Sequence, residues 1–169
     1  MMRINWGGEW IMKKVVGMII SLLGGIVLGG LGINYVKNKK IEMETKRTNK
    51  FVGYYNLLNH WLRAKQEGRS LEDFFEKNGI KSIAIYGMGE LGNRLYDELK
   101  NSSIQVKYAI DKNPANTFSE VEVLAIEDYL EEVDAIVVTA IFAFDEIVEE
   151  LIKRIDYKII SLEDIVYEL

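Results

Sequence analysis

The chain has 169 residues, enough for one domain of ordinary size and a tail but not for two full domains. Apolar residues make up 49% and proline occurs once, which excludes a disordered or fibrous chain; the absence of cysteine excludes disulfides, thiolate zinc sites and a cysteine nucleophile. The net charge of −5 hides a split: twelve Lys/Arg face four Asp/Glu through residue 69, and nine face twenty-two from residue 70 onward. The acidic part repels phosphate backbones, so no nucleic-acid partner is expected, whereas the basic part suits anionic lipid headgroups.

Residues 1–14 read as an N-terminal tail. Val15 to Ile33 is an uncharged run of 19 residues. As a helix it extends roughly 28 Å at 1.5 Å per residue, close to the ~30 Å hydrocarbon core of a bilayer. This predicts a transmembrane helix over 15–36 and a single-pass protein of the cell membrane. The Lys/Arg excess after the run places the C-terminal domain on the cytoplasmic side. A cleaved signal peptide is the competing reading, and the length of the run argues against it. Gly17, Ser21, Gly25 and Gly29 recur every fourth residue and form a smooth stripe suited to a homodimer of helices.

Residues 37–79 read as a helical linker. Phe51, Tyr55, Leu58 and Leu62 recur at three- and four-residue steps, with Tyr54, Leu57 and Trp61 beside them, which predicts one broad apolar face. His60, the sole histidine, has no ligand-spaced partner and reads as structural. Ser70 and Asp73 begin a capped helix, and Asn78-Gly79 ends it.

From residue 80 to 169 the pattern alternates. Strands are expected at Ser82–Tyr86, Gln105–Ile110, Val121–Leu124, Ala135–Thr139 and Lys158–Ser161. Helices are expected at Leu91–Asn101, Ile126–Glu131 and Asp145–Arg154, with a last turn at Glu163–Tyr167. Such alternation implies a small α/β domain, a doubly wound parallel sheet of about five strands in the order 3-2-1-4-5, preceded by the transmembrane and linker helices.

The first strand runs straight into Gly87-Met88-Gly89-Glu90-Leu91-Gly92. In that context Gly87 permits the tight turn, Gly89 lets backbone approach a pyrophosphate, and Gly92 lets the helix press on the strand. The free N–H groups of the following helical turn, which holds Glu90 and Leu91, point at the anion, and Met88 completes the loop. Asp111 ends the second strand 24 residues after Gly87, where an acid binds ribose hydroxyls and repels a 2′-phosphate. NAD is therefore preferred to NADP as the nucleotide cofactor. Thr139, ending the fourth strand, reaches toward ribose or nicotinamide, and Asn113 toward the adenosine side.

Two lookalikes fail on geometry. Tyr96 and Lys100 have the spacing of a dehydrogenase pair but lie on the first helix of the domain, too early to meet a nicotinamide. Asp111 to Glu122 has the length of a calcium loop but carries Asn116 where glycine is needed. No acid–base pair, triad or metal cluster is legible, and no second lobe is present for a substrate, so a complete enzyme is not expected.

The stretch Lys81–Gly92, with Tyr108–Asn113 and Val133–Thr139, resembles small NAD(P)-binding Rossmann modules of bacterial proteins that assemble cell-surface polysaccharides. The resemblance covers about residues 51–169. It implies Gly87, Gly89, Gly92 and Asp111 as ligand contacts and carries no catalytic residue across. The expectation is a membrane-anchored nucleotide-binding accessory or sensor module. The alternatives are a subunit of an NAD-dependent enzyme that modifies nucleotide sugars, and a ligand-free interaction domain.

Overall fold

The computed structural model describes residues 6–169, with side chains described for residues 12–19, 21 and 37–169. The chain divides into two compact units, Met1–Phe51 and Val52–Leu169. Helix α1 (Trp6–Gln66) contributes to both.

In the first unit the described side chains are exposed. Thr45 and Thr48 donate their hydroxyls to the carbonyls of Ile41 and Glu44 one turn back, and Lys46 pairs with Glu42 at 2.7 Å. Such exposed i,i+4 pairs add only a few tenths of a kcal/mol each. The expected transmembrane helix is overturned: among the described residues no helix is long and apolar enough to cross a membrane. The apolar run belongs to a 61-residue helix whose described parts are flanked by Lys13 and Lys14 on one side and by alternating lysines and glutamates from Lys37 on the other. The side chains of residues 20 and 22–36 lie outside the described residues, and with them Gly25 and Gly29 of the glycine stripe. Ser21 donates to the Gly17 carbonyl at 2.6 Å, which satisfies its hydroxyl within its own helix.

The second unit is built on a five-stranded parallel sheet. Its strands are β1 (Ser82–Tyr86), β2 (Gln105–Ile110), β3 (Val123–Leu124), β4 (Ala135–Val138) and β5 (Lys158–Ser161), in the order β3-β2-β1-β4-β5. β1 and β4 are apolar on both faces because both faces are covered. Alternation sends Ile83 and Ile85 to one side of the sheet, and Ala84 and Tyr86 to the other. The first side carries α2 (Leu71–Lys77), α3 (Glu90–Leu99), α5 (Leu162–Glu168) and the last turns of α1. The second carries α4 (Phe144–Leu151) and the β3–β4 connection. This is a Rossmann-like topology, with the strand order expected from right-handed crossovers.

Two local expectations change. On α1 the buried residues are Leu57, Trp61 and Ala64, whereas Phe51, Tyr55, Leu58 and Leu62 stay exposed. The broad stripe offered two edges, and the one holding Trp61 wins because its indole N–H reaches the carboxylate of Glu98 on α3 at 2.8 Å. His60 lies against Tyr167, ring centroids 4.8 Å apart, as a structural contact. The helix expected over Ile126–Glu131 does not form. There the Asp128 carboxylate accepts the Ala125 N–H, and the Tyr108 hydroxyl and Lys107 ammonium reach the carbonyls of Glu131 and Glu132. These side-chain bonds to backbone compete with helical ones. Burial, with Tyr157 and Glu131 nearby, pushes the Tyr108 phenol up to about 12, so it stays a donor.

At the opposite edge of the sheet Asp134 clamps the start of β1. One of its carboxylate oxygens accepts the N–H groups of Lys81 and Ser82 and the Ser82 hydroxyl, at 2.8–3.0 Å. These bonds hold its carboxyl below the usual aspartate range, the Lys81 and Ser82 backbone N–H groups most of all. A depressed folded-state pKa contributes stability that is present above the unfolded value, about 3.9, and is lost as pH falls through the folded one. Urea midpoints measured from pH 6 down to pH 3 are therefore expected to fall less steeply for Asp134→Asn than for the wild type. Parallel curves would assign the acid limb to other carboxylates.

Candidate functional site

Strand β1 ends against its neighbours. The Gly87 N–H donates to the Ile110 carbonyl at 2.8 Å, which continues the ladder by one residue. The chain then turns sharply with Gly87 at φ +95°, a region L-residues avoid. Gly92 answers a different need. A Cβ there would lie 2.2 Å from the Gly87 carbonyl oxygen, so only a bare glycine lets α3 close onto the turn.

Two side chains from neighbouring strands fasten this loop. Asp111, just beyond β2, accepts the Met88 N–H on one oxygen at 3.1 Å and the Asn113 N–H on the other at 3.0 Å. Thr139, just beyond β4 and buried, places its hydroxyl on the Gly87 carbonyl and 3.2 Å from that of Tyr86. Its single proton serves these carbonyls. Both residues are thus first of all fasteners of the glycine turn. Asn93 adds a third tie from α3, donating its amide to the Gly89 carbonyl at 3.0 Å.

The side chains of the loop leave its mouth clear. Met88 and Leu91 are 5% exposed and sit in the core beneath α3. Glu90 points outward, its carboxylate 3.2 Å from the guanidinium of Arg94. A Cβ built on Gly89 would meet no atom within 4 Å. Gly89 is the N-cap of α3 and provides no side-chain cap, whereas Ser70 caps α2 in a capping box and Ser161 caps α5. The N–H groups of Gly89, Glu90, Leu91 and Gly92 have no backbone partner. Four such donors at a helix N-terminus carry the positive end of the helix dipole and favour an anion.

No known protein family, curated protein or solved structure matches this chain. The chemistry of the site is therefore read from its own geometry. The structure gathers Gly87 to Gly92, Asp111 and Thr139 at the carboxyl ends of β1, β2 and β4, the edge where open α/β sheets bind ligands.

Beside this edge, on the face opposite α3, lies a crevice of about 300 Å³ that the spacing of the sequence did not reveal. Tyr86, Asp111, Lys112, Ala125, Ile126, Glu127 and Glu150 line it. Tyr86 reads in sequence as the last residue of a buried strand, and Glu150 as one acid of a charged helix. The packing of α4 and of the irregular β3–β4 connection on one face of the sheet brings them together. No cluster among the described residues is arranged to hold a metal ion.

Proposed function

We propose that the Rossmann-like unit binds a nucleotide through its diphosphate at Gly87–Gly92, with NAD as the preferred cofactor, and acts as an accessory or sensor module rather than as a complete enzyme. The observation that carries this reading is the uncapped first turn of α3: the N–H groups of Gly89 to Gly92 have no backbone partner, and Glu90 is turned away. The residues present fit a diphosphate, because the space a Gly89 side chain would occupy is empty. NAD, when bound, supplies hydride chemistry, whereas this chain's residues supply a cradle and a held loop. Asp111 would keep Met88 in place and offer its remaining lone pairs to ribose hydroxyls. The resemblance to modules of cell-surface polysaccharide assembly supports a role near nucleotide-sugar metabolism.

A second reading has an observation of its own. Asp111 and Thr139 fasten the glycine turn with no ligand, as they would in a purely structural loop serving an interaction domain.

Gly89→Leu separates the two. Gly89 has φ −77°, which any residue adopts, and open space around its Cβ position. The variant is expected to lose no more than about 1 kcal/mol, because leucine is a poorer N-cap than glycine. The wild-type chain, with NAD at 100 times Kd, is expected to gain about 2.7 kcal/mol, and the variant is expected to gain none. A melting series with NAD, NADP, ADP and UDP-sugars that leaves the wild type unmoved would favour the structural loop.

A further inference from the structure

The stretch from Phe51 to Leu62 carries no Lys, Arg, Asp or Glu, and Phe51, Tyr55, Leu58 and Leu62 step along it by four, three and four residues. That is the repeat of a two-helix seam, about 3.5 residues on average, which keeps one stripe turned to a neighbouring helix. The protein's own core does not use this stripe. Leu57, Trp61 and Ala64 are the buried residues of α1, whereas Phe51 and Tyr55 are each 69% exposed and Leu62 is 56% exposed. Leu58 and Leu62 border a groove of about 330 Å³ between α1 and α3, whose α3 side holds Arg94 and Asp97. Lys65, the next position of the repeat, is drawn to Glu98 on α3 at 2.9 Å, and the stripe ends there.

The charge pattern selects what covers it. Helices that lie on a lipid surface carry Lys and Arg along their polar face. Here the nearest basic residues stand before the stripe, at Lys46, Arg47 and Lys50, and after it, at Arg63 and Lys65, with none beside it. A helix with the same repeat fits better, because each apolar side chain then enters a hole between apolar neighbours. Every copy of the chain brings such a helix in its own α1. The positions that flank the stripe, Val52, Tyr54, Asn59 and Trp61, are uncharged, so two copies meet without like-charge repulsion whichever way they run. Together with the half-exposed Val52, the stripe offers on the order of 500 Å² per copy, and a pair that buries about 1,000 Å² reaches the size of a specific interface.

We propose that α1 pairs with α1 of a second copy of this chain through Phe51, Tyr55, Leu58 and Leu62, as a closed two-fold dimer. A stripe that meets its own copy is used up by the pairing and leaves nothing to add a third chain. The groove between α1 and α3 then borders the contact, with Arg94 and Asp97 in its polar rim. The proposal does not depend on what the glycine loop binds.

The test uses the full chain, which has no cysteine of its own. Leu58→Cys sets one thiol in the stripe, and Asn56→Cys sets one at an exposed position off it. A short bis-maleimide linker is expected to join Leu58→Cys into a covalent dimer at least about tenfold faster than Asn56→Cys, because pairing raises the local thiol concentration. In sedimentation equilibrium the wild type is expected as a dimer. The double variant Leu58→Glu with Leu62→Glu is expected to raise the dimer Kd at least about hundredfold, since each leucine buried in the seam is worth about tenfold. Both leucines are partly exposed in the single chain, so the circular dichroism spectrum should not change. The double variant leaves Gly17 and Ser21 untouched, and a dimer that survives it is held elsewhere, which would overturn the proposal. Thiols that link at equal rates would overturn it as well. So would a monomeric wild type, and a monomer that binds vesicles of anionic lipid would assign the stripe to a membrane surface instead.

Discussion

Gly92→Val is expected to abolish nucleotide binding and to destabilise the fold at the same time. The new Cβ would lie 2.2 Å from the Gly87 carbonyl oxygen and 3.1 Å from its carbon. That neighbour is backbone, held by the Gly87 N–H bond to Ile110 and by the Thr139 hydroxyl, so it cannot yield as a flexible side chain would. Either α3 lifts from the sheet or the turn opens. Overpacking of a well-filled site costs about 1–3 kcal/mol, and the branched Cβ of valine belongs at the upper end. Either movement also displaces the uncapped N–H groups of Gly89 to Gly92. The denaturant midpoint and the NAD-induced melting shift should therefore both fall. With Gly89→Leu, the second should be lost while the first falls only slightly, by the cost of a poorer N-cap. A Gly92→Val protein with wild-type stability would mean that the close approach of helix and turn is not a constraint.

Glu98→Ala is expected to cost the second unit as much as truncating a large core side chain. The Glu98 side chain is 8% exposed and accepts the Trp61 indole N–H at 2.8 Å, the Leu71 backbone N–H at 3.1 Å and the Lys65 ammonium at 2.9 Å. One carboxylate thus joins α1, α2 and α3. Lys65 is half exposed and regains water when the carboxylate is lost. The Trp61 and Leu71 donors are part-buried, and leaving each unsatisfied costs about 1–3 kcal/mol. A loss of about 3 kcal/mol is expected, or roughly 10–15 °C in Tm for a unit of this size. Glu98→Gln keeps an acceptor for one of the two N–H groups and should lose about half as much. Equilibrium unfolding of the two variants measures both figures, and an alanine variant within about 0.5 kcal/mol of wild type would show the three helices to be held by packing alone.

Much of the second unit was legible from the chain itself. Ser82–Tyr86, Gln105–Ile110 and Lys158–Ser161 form strands at the predicted residues, because a short apolar run bounded by turn residues has few other outcomes. The Ser70 cap needs only a hydroxyl and Asp73 three residues on. The glycine loop was legible for the same local reason: Gly87 and Gly92 sit where any side chain would be strained or would collide.

Two expectations failed because their outcome was not local. Ile126–Glu131 has helical spacing, but Lys107 and Tyr108, from a distant strand, reach its backbone and hold it open. The apolar run from Val15 matches the thickness of a bilayer, yet among the described residues no helix is long and apolar enough to cross one. Hydrophobic length alone did not settle what the long helix does.

By itself the sequence determined the strands, the caps, the turn at Gly87 and the charge divide near residue 69, since each depends on neighbours within a few positions. Tertiary structure alone decided which edge of α1 is buried, that Asp111 and Thr139 fasten the loop, and that Tyr86, Glu127 and Glu150 share one crevice. Those arrangements join residues 23 to 64 positions apart, and no periodicity records a distance that only folding creates.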